Sequence, residues 1–306
     1  MLKPRKSKND TPAYLRSSVS DRIFDVANGI IMFLICVCIA YPLWFVLVAS
    51  FTAPEVVAQG RILLFPTDWF LGGYERIFNY SPLWRAYYNT IIYTIVGTSV
   101  SIGLTLPCAY ALSRRDMAGR RILMFLFTFT MFFGGGMIPL YLVVLNLGIF
   151  NTIWAMVLPS AVSVFNLIVC RSFFDTSIPQ ELLEASRLDG CSDFGFFFKV
   201  VIPLSSTIIA VMILFYGTGI WNQFMNALLF MEDINRMPLQ VILRNLIIMN
   251  QAQHITVDAA EMIMRQRLAE QLKYGVIVVS AVPLLVVYPF LQKYFTKGVM
   301  IGAVKG

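Results

Sequence analysis

Phe173 to Val200 read FFDTSIPQELLEASRLDGCSDFGFFFKV, a polar and charged stretch set between two long apolar runs. Ser177 followed three residues later by Gln180 fits a capping box, and Pro179 suits a first helical turn, so a helix is expected to start here. Leu182, Ala185 and Leu188 recur at i, i+3 and i+6, with Ile178 one turn earlier, which gives that helix an apolar stripe. Gly190 stands where helices commonly close in the left-handed conformation that glycine adopts cheaply. A short amphipathic helix outside the apolar runs needs something to cover its stripe. A membrane surface would serve, as it does for interfacial helices, and so would a groove on a soluble partner. Glu181 and Glu184 make the start of the polar face acidic, which disfavours anionic lipid.

The flanks identify the solvent. Of the 306 residues 58% are apolar and only 13% charged, and the mean hydropathy is +0.71, whereas a soluble domain is nearer half apolar and a quarter charged. Such a chain cannot cover itself with polar surface, which excludes a soluble enzyme, a disordered tail protein and a nucleic-acid binder built on the net charge of +7. Six apolar spans are expected, Val26 to Phe51, Tyr88 to Leu112, Ile122 to Leu145, Ile153 to Val169, Val200 to Phe230 and Lys273 to Phe295, each near the roughly 20 residues that cross a hydrocarbon core. This predicts an all-α integral membrane fold. It comprises an N-terminal segment 1–25, a six-helix domain 26–295 with an inner loop 173–200 and an outer loop 231–272, and a C-terminal tail 296–306. With both termini inside, sixteen of the 24 Lys and Arg residues fall on the inner side, the asymmetry expected of cytoplasmic segments. A basic stretch, Lys3, Arg5, Lys6 and Lys8, precedes the first span, but its apolar core is too long for a signal peptide and no A-x-A site follows. The five cysteines fall in spans or on the inner side, where disulfides are not favoured.

What the spans omit narrows the chemistry. They contain no acidic residue and no Lys or Arg near a bilayer centre, so proton-coupled transport lacks its usual groups. The single histidine, His254, sits in the outer loop without a partner carboxylate in metal-ligand spacing, which leaves neither a metal site nor catalytic residues. There is no Gly-Lys dipeptide and hence no P-loop, so nucleotide energy would have to come from another subunit.

Proline interrupts the spans at Pro42, Pro107, Pro139, Pro159, Pro203, Pro283 and Pro289, and Gly134, Gly135 and Gly136 precede Pro139. Such breaks persist at membrane depth where protein or a water-filled cavity satisfies the freed backbone groups. Gly and Pro are also simply frequent in membrane helices, but the triple glycine before Pro139 favours a functional hinge. Trp221, Asn222, Phe224 and Asn226 combine aromatic faces with amides, a mixture suited to sugars and equally to interfacial anchoring or packing. Gln251, Gln253 and His254 in the outer loop could touch sugar hydroxyls or lie solvated.

Glu184-Ala185-Ser186, Asp189-Gly190, Phe197, Val200, Ile202 and Pro203 together resemble the EAA loop of ATP-binding cassette importer permeases. Ser186 stands for the second alanine of that pattern, Cys191 for the usual small residue after glycine and Ile202 for the leucine before proline. Further stretches are similar to the carbohydrate-uptake branch that contains the maltose-type inner subunit: SRRDMAGRR, MFFGGGMIPLYLVVLNLGIFNTIWAMVLP, WNQF and KYFTKGVMIGAVKG. The nearest group is the lipoprotein-associated polysaccharide or oligosaccharide permeases of Gram-positive bacteria.

The resemblance implies a type I importer permease fold, in a cytoplasmic membrane, with a cytoplasmic coupling helix between helices 4 and 5 built on Glu184, Ala185, Ser186, Asp189, Gly190 and Pro203. It implies as partners a second homologous permease subunit, two ATPase subunits, an extracellular solute-binding lipoprotein and a carbohydrate substrate. No cofactor is expected on this chain; ATP and Mg belong to the ATPase subunits. The first half of the outer loop would contact the binding protein, and the tail Thr296 to Gly306 would reach the ATPase interface or hang disordered. A secondary transporter and a non-transporting scaffold or sensor subunit are the alternative classes.

Overall fold

A computed structural model describes residues 19–60, 64–252, 272–290 and 292. Their regular structure is helical apart from one isolated antiparallel bridge between Thr52 and Trp69, as an all-α membrane fold requires. The tail 296–306, the N-terminal stretch 1–18, and the second half of the outer loop with Gln253 and His254 lie outside the described residues. The chain divides into two compact units, residues 1–71 and 72–306.

The first unit is one long helix and a folded strap. Helix α1 (Val19–Ser50) carries 32 residues, about 48 Å at 1.5 Å per residue, and starts seven residues before the expected span. After it come α2 (Pro54–Ala58) and a strap returned by backbone bonds from Ala53 N–H to the Asp68 carbonyl at 2.9 Å and from Phe70 N–H to the Phe51 carbonyl at 3.0 Å. The indole N–H of Trp44 donates to the Leu64 carbonyl at 2.7 Å.

The second unit is organised on one helix. It contains α3 (Gly72–Asn79), α4 (Ser81–Ser113), α5 (Arg120–Phe132), α6 (Met137–Asn146), α7 (Ile153–Val157), α8 (Val164–Ser177), α9 (Gln180–Leu188), α10 (Asp193–Phe196), α11 (Ile202–Leu204), α12 (Ser206–Trp221), α13 (Met225–Phe230), α14 (Leu239–Ala252) and α15 (Leu272–Phe290). Helix α4 packs against α3, α5, α7, α8, α12 and α14. Its buried residues include Ala86, Thr90, Gly97, Ser101, Thr105 and Ala109, small side chains in steps of about one or two turns that let neighbouring backbones approach. At Gly97 a Cβ would stand 2.7 Å from Ile220 Cδ1 and 3.6 Å from Val157 Cγ2.

Two helices, α4 and α15, are single apolar rods. Three other expected spans are broken. α5 and α6 meet at 114°, the helical stretches Ile153–Ser160 and Val164–Ser177 at 55°, and Asp193–Leu204 and Ser206–Trp221 at 79°. The described chain therefore holds three helices long and apolar enough to cross a bilayer, α1, α4 and α15, and up to six such spans if each bent pair is one. The fifth expected span overshoots: α12 ends at Trp221 and Met225–Phe230 is a separate helix, α13. Each break has a local cause. Gly136, with φ +86°, separates α5 from α6. Pro159 lies in a 3₁₀ turn before α8. A π-helical turn, Phe197–Val201, runs into Pro203, whose ring supplies no N–H to continue the ladder.

The outer loop is not an irregular loop in its first half. Leu239, Val241, Ile242, Leu243 and Leu246 of α14 are buried. Leu239, Leu243 and Leu246 join Ile77, Leu83, Trp221, Leu272, Val276 and Val279 in one apolar cluster. The periodicity of Leu239, Ile242, Leu243 and Leu246 is that of an amphipathic helix. A second core joins α4, α8, α9 and α10–α12 through Leu106, Tyr110, Leu167, Phe174, Leu183, Phe196, Val201 and Met212. Tyr110 sits among Phe174, Phe196 and Phe197, with ring centroids 5.8, 6.5 and 5.3 Å away.

Gly97→Leu is expected to lower the thermal midpoint of the purified protein in detergent, with overpacking of about 1–3 kcal/mol. Gly103→Leu, on an exposed face with nothing within 4 Å of its Cβ, should leave the midpoint in place. Leu183→Ala removes a buried anchor and should cost about 2–5 kcal/mol, while Leu188→Ala at a 90% exposed position should stay within about 0.5 kcal/mol. Hydrogen exchange across α9 separates the two: only the first should accelerate it.

Candidate functional site

Helix α9 starts differently from a capping box. Ser177 is the last residue of α8, Ile178 its C-cap, and Pro179 the N-cap of α9 with no side-chain cap bond. Pro179 is fixed in extended backbone, φ −62° and ψ 145°, which leaves one residue to turn between two helices and no free loop for a serine cap. Gln180 Nε2 donates instead to Glu184 Oε1 at 3.1 Å.

The end of α9 is a complete Schellman closure. Gly190 takes φ +74°, its N–H donates to the Arg187 carbonyl at 3.1 Å, and Cys191 N–H donates to the Ser186 carbonyl at 2.9 Å. Two orphan carbonyls of the last turn are thereby bonded. The turn then restarts at once, with Ser192 Oγ accepting from Gly195 N–H at 3.1 Å to cap α10.

The apolar residues of α9 divide between two faces. Leu183 is buried in the core and Ile178 packs beside it, whereas Leu182 is 41% and Leu188 90% exposed, with Ala185 exposed between them. Ile178 therefore does not continue the stripe. The stripe of Leu182, Ala185 and Leu188 is uncovered within the chain, alongside exposed Glu184 and Asp189. Ser186 turns inward, its Oγ donating to the Leu183 carbonyl at 2.8 Å. Pro203 lies beyond the π turn, in α11.

A set of charges not anticipated as a site surrounds the base of α9. Arg114, at the C-cap of α4, forks onto Asp116 with Nε–Oδ1 2.9 Å and Nη2–Oδ2 2.6 Å, and its Nη1 lies 2.9 Å from Asp193 Oδ1. Arg187 Nη2 lies 3.1 Å from Asp116 Oδ2 and 3.5 Å from Asp193 Oδ1. The Arg114 hydrogen bond is the main reason that the carboxyls of Asp116 and Asp193 are held below the usual range, and the Asp116 bond raises Arg114 in turn. A lowered carboxyl stabilises the folded form above its ordinary pKa of about 3.9 and loses that effect as acid protonates it. The cluster is thus fully charged near neutrality. Asp116 two residues after Arg114 is the one local signal of pairing in SRRDMAGRR, and no local rule gives its reach to Arg187 and Asp193. A cavity of about 360 Å³ beside it is lined by Arg115, Asp175, Glu181 and Glu184, among others.

The second candidate region lies around the break between α7 and α8. A cavity of about 890 Å³ is lined by Ser160, Asn166, Tyr216, Asn222, Gln223, Phe224 and Asn226 together with apolar side chains. Gln223 Nε2 and Asn226 Nδ2 both donate to Ser160 Oγ at 3.1 Å. The Tyr216 hydroxyl accepts from Ser163 N–H at 3.1 Å and lies 2.7 Å from Thr105 Oγ1. Gln223 Oε1 is buried without a hydrogen-bond partner, an acceptor left over at the cavity wall. Among the described residues no charged side chain lines this cavity. Trp221 does not belong to it. Its indole N–H donates to the Ser280 carbonyl at 3.1 Å, its ring lies 6.3 Å from Tyr87, and it is buried in the α14–α15 cluster, so it is a packing residue.

Gly134, Gly135, Gly136 and Pro139 lie at and just after the 114° bend. Pro139 sits in the first turn of α6, where a missing N–H costs nothing. No residue of α5 is buried and only Val144 of α6 is, so this bent pair offers most of its apolar surface outward. Among the described residues no group of three or more His, Cys, Asp or Glu side chains is placed to hold a metal ion.

The chain is similar to known proteins over almost its full length. It is 42% identical over 290 residues to the polygalacturonan/rhamnogalacturonan transport system permease protein YtcP of Bacillus subtilis, covering 94% of this chain and 100% of that one. It is 39% identical over 293 residues to Protein LplC of the same organism, covering 95% and 98%. A solved crystal structure of a bacterial ABC transporter involved in the import of the acidic polysaccharide alginate contains a chain that superposes with a TM-score of 0.78 at 34% identity, over 93% of this chain and 100% of that one. The family model of binding-protein-dependent transport system inner membrane components matches residues 82–301. That span takes in the α9 loop, both cavities and the glycine break, and the chain belongs to the family of binding-protein-dependent transport system inner membrane components.

Proposed function

We propose that this permease subunit forms half of the path of an ATP-driven carbohydrate importer in the cytoplasmic membrane of a Gram-positive bacterium. A second, homologous permease supplies the other half, an extracellular binding lipoprotein delivers an oligosaccharide, and two cytoplasmic ATPase subunits hold the ATP and Mg. Each bent pair is one span, so six spans run from an inside N-terminus to an inside C-terminus. The names of the relatives, polygalacturonan/rhamnogalacturonan transport for one and import of the acidic polysaccharide alginate for another, support a saccharide as the cargo.

The observation that carries the coupling role is the two-sided helix α9. Leu183 holds it to the core from behind while Leu182, Ala185 and Leu188 face outward with Glu184 and Asp189 beside them. That is the form of a helix seated in a groove of a soluble partner, and its acidic first turn argues against an anionic bilayer surface. ATP-driven closure of the ATPase pair would move α9 as a rigid body, with Gly190 fixing the turn and Pro203 stiffening the return into α12. Asn222, Gln223, Phe224 and Asn226 provide the sugar-facing wall, with amides for hydroxyl groups and ring faces for stacking. Gly134 to Gly136 and Pro139 act as the gating hinge.

The four-subunit core, reconstituted with its binding protein in liposomes, should take up labelled oligosaccharide only with ATP inside. Uptake without ATP would make the chain part of a secondary transporter, and ATPase docking without any uptake would make it a scaffold. Leu188→Asp should lower ATP-dependent uptake on the order of tenfold, the size of one lost anchor contact, with the thermal midpoint unchanged. Replacing Gly134 to Gly136 by alanine should slow turnover while ATPase subunits still co-purify. Because the wall is neutral, Gln223→Glu should slow oligogalacturonide uptake more than that of a neutral oligosaccharide of equal length; equal slowing would remove Gln223 from the path.

A further inference from the structure

The last carbonyls of α4 are bonded by arginines from two other elements. Arg171 Nε of α8 donates to the Leu112 carbonyl at 3.1 Å, and Arg120 Nη1 of α5 donates to the carbonyls of Ser113 and Arg114, both at 3.3 Å. Cations at a helix C-terminus also oppose its dipole. To this end Arg114 adds its own side chain, and the charges close into a ring of alternating sign, Arg114 to Asp116 to Arg187 to Asp193 and back to Arg114.

Isolated surface pairs contribute about 0–1 kcal/mol each. This arrangement differs in two respects. The Arg114 side chain is only 15% exposed and grips Asp116 in a bidentate fork, which adds orientation as well as energy. Every member also has two opposite neighbours, so ordering one side chain serves two contacts. The ring spans four pieces of chain: the end of α4, the turn after it, the last turn of α9 and the first turn of α10.

We propose that Arg114 and Asp116 are positioning residues for coupling: through Arg187 and Asp193 they lock the α9–α10 turn to the end of α4, so that a displacement of α9 enters α4 directly. This rests on α9 being the helix that docks on the ATPase. The backbone routes from α9 lead back through α8 to the 55° bend and forward through α10 and α11 to the 79° bend, both of which can absorb motion. Helix α4 is the continuous rod on which the unit packs.

The test uses the reconstituted core with its binding protein and measures sugar imported per ATP hydrolysed, ATPase co-purification and the thermal midpoint. Asp116→Asn and Arg187→Gln should each lower the transport-to-hydrolysis ratio by roughly fivefold, with co-purification and midpoint held. The double variant should be no worse than the worse single one, because both open the same ring, and Arg187→Lys should recover part of the ratio. An unchanged ratio in both single variants, multiplying effects in the double one, or a loss that follows the midpoint would overturn the proposal. If Leu188→Asp leaves co-purification and uptake intact, it is the docking of α9 that fails, and the ring result is then read separately.

Discussion

A helix cannot bond its own last carbonyls, and near a bilayer the loss is severe because water is scarce. The end of α4 answers that constraint with two arginines, Arg120 of α5 and Arg171 of α8, while the Arg114 side chain at its C-cap binds Asp116 and Asp193. The same groups settle where neighbouring helices must stop. Arg120 starts α5 beside the end of α4, Arg171 sets the depth of α8, and Arg114 holds the turn that follows α9. Small residues along the buried face of α4 then bring α12 and α7 close, with Gly97 against Ile220 and Val157. One unmet backbone requirement thus organises both the packing of the unit and the placing of its exposed helix.

The two ends of the second unit are built differently. Around α9 the core is aromatic, Tyr110 among three phenylalanines, and it is rimmed by charge. Around α14 and α15 the buried set is otherwise aliphatic among the described residues, with Trp221 inside it and Tyr74, Tyr80 and Tyr87 packed at its edge. The neutral, amide-lined cavity opens beside the α7–α8 break, on α8, α12 and α13. The half-buried amides of Gln223 and Asn226 both bond the Ser160 hydroxyl there, and the side-chain carbonyl oxygen of Gln223 is spare.

Much of the fold was legible in the residues because it depends on composition and local rules. Apolar length found the long helices, Gly190 marked the left-handed close of α9, and the Glu184–Gly190 spacing pointed to the family. What escaped depends on contacts distant in sequence. The ring from Arg114 to Asp193 joins residues 79 apart, so no window of periodicity contains it. Leu182 and Leu183 are neighbours of like chemistry, and only the docking of α9 on Phe174 and Phe196 decides which one is buried. Ser177 has the chemistry of a cap, but α8 continues through it, since a helix already formed outweighs one side-chain bond. Trp221 illustrates the opposite case: an aromatic beside amides suits a sugar site, yet its indole had a backbone carbonyl on α15 within reach. The 114° bend at Gly136 was visible as a break and not as an angle.

The hydroxyl of Tyr216 has a single proton. It accepts from Ser163 N–H and lies within hydrogen-bond distance of Thr105 Oγ1, so one side chain of α12 ties the start of α8 to α4. Hydrogen bonds of this length weaken steeply with misalignment. A change of the 55° bend that carries Ser163 away from Tyr216 would therefore cost the bond that joins the start of α8 to α12 and α4.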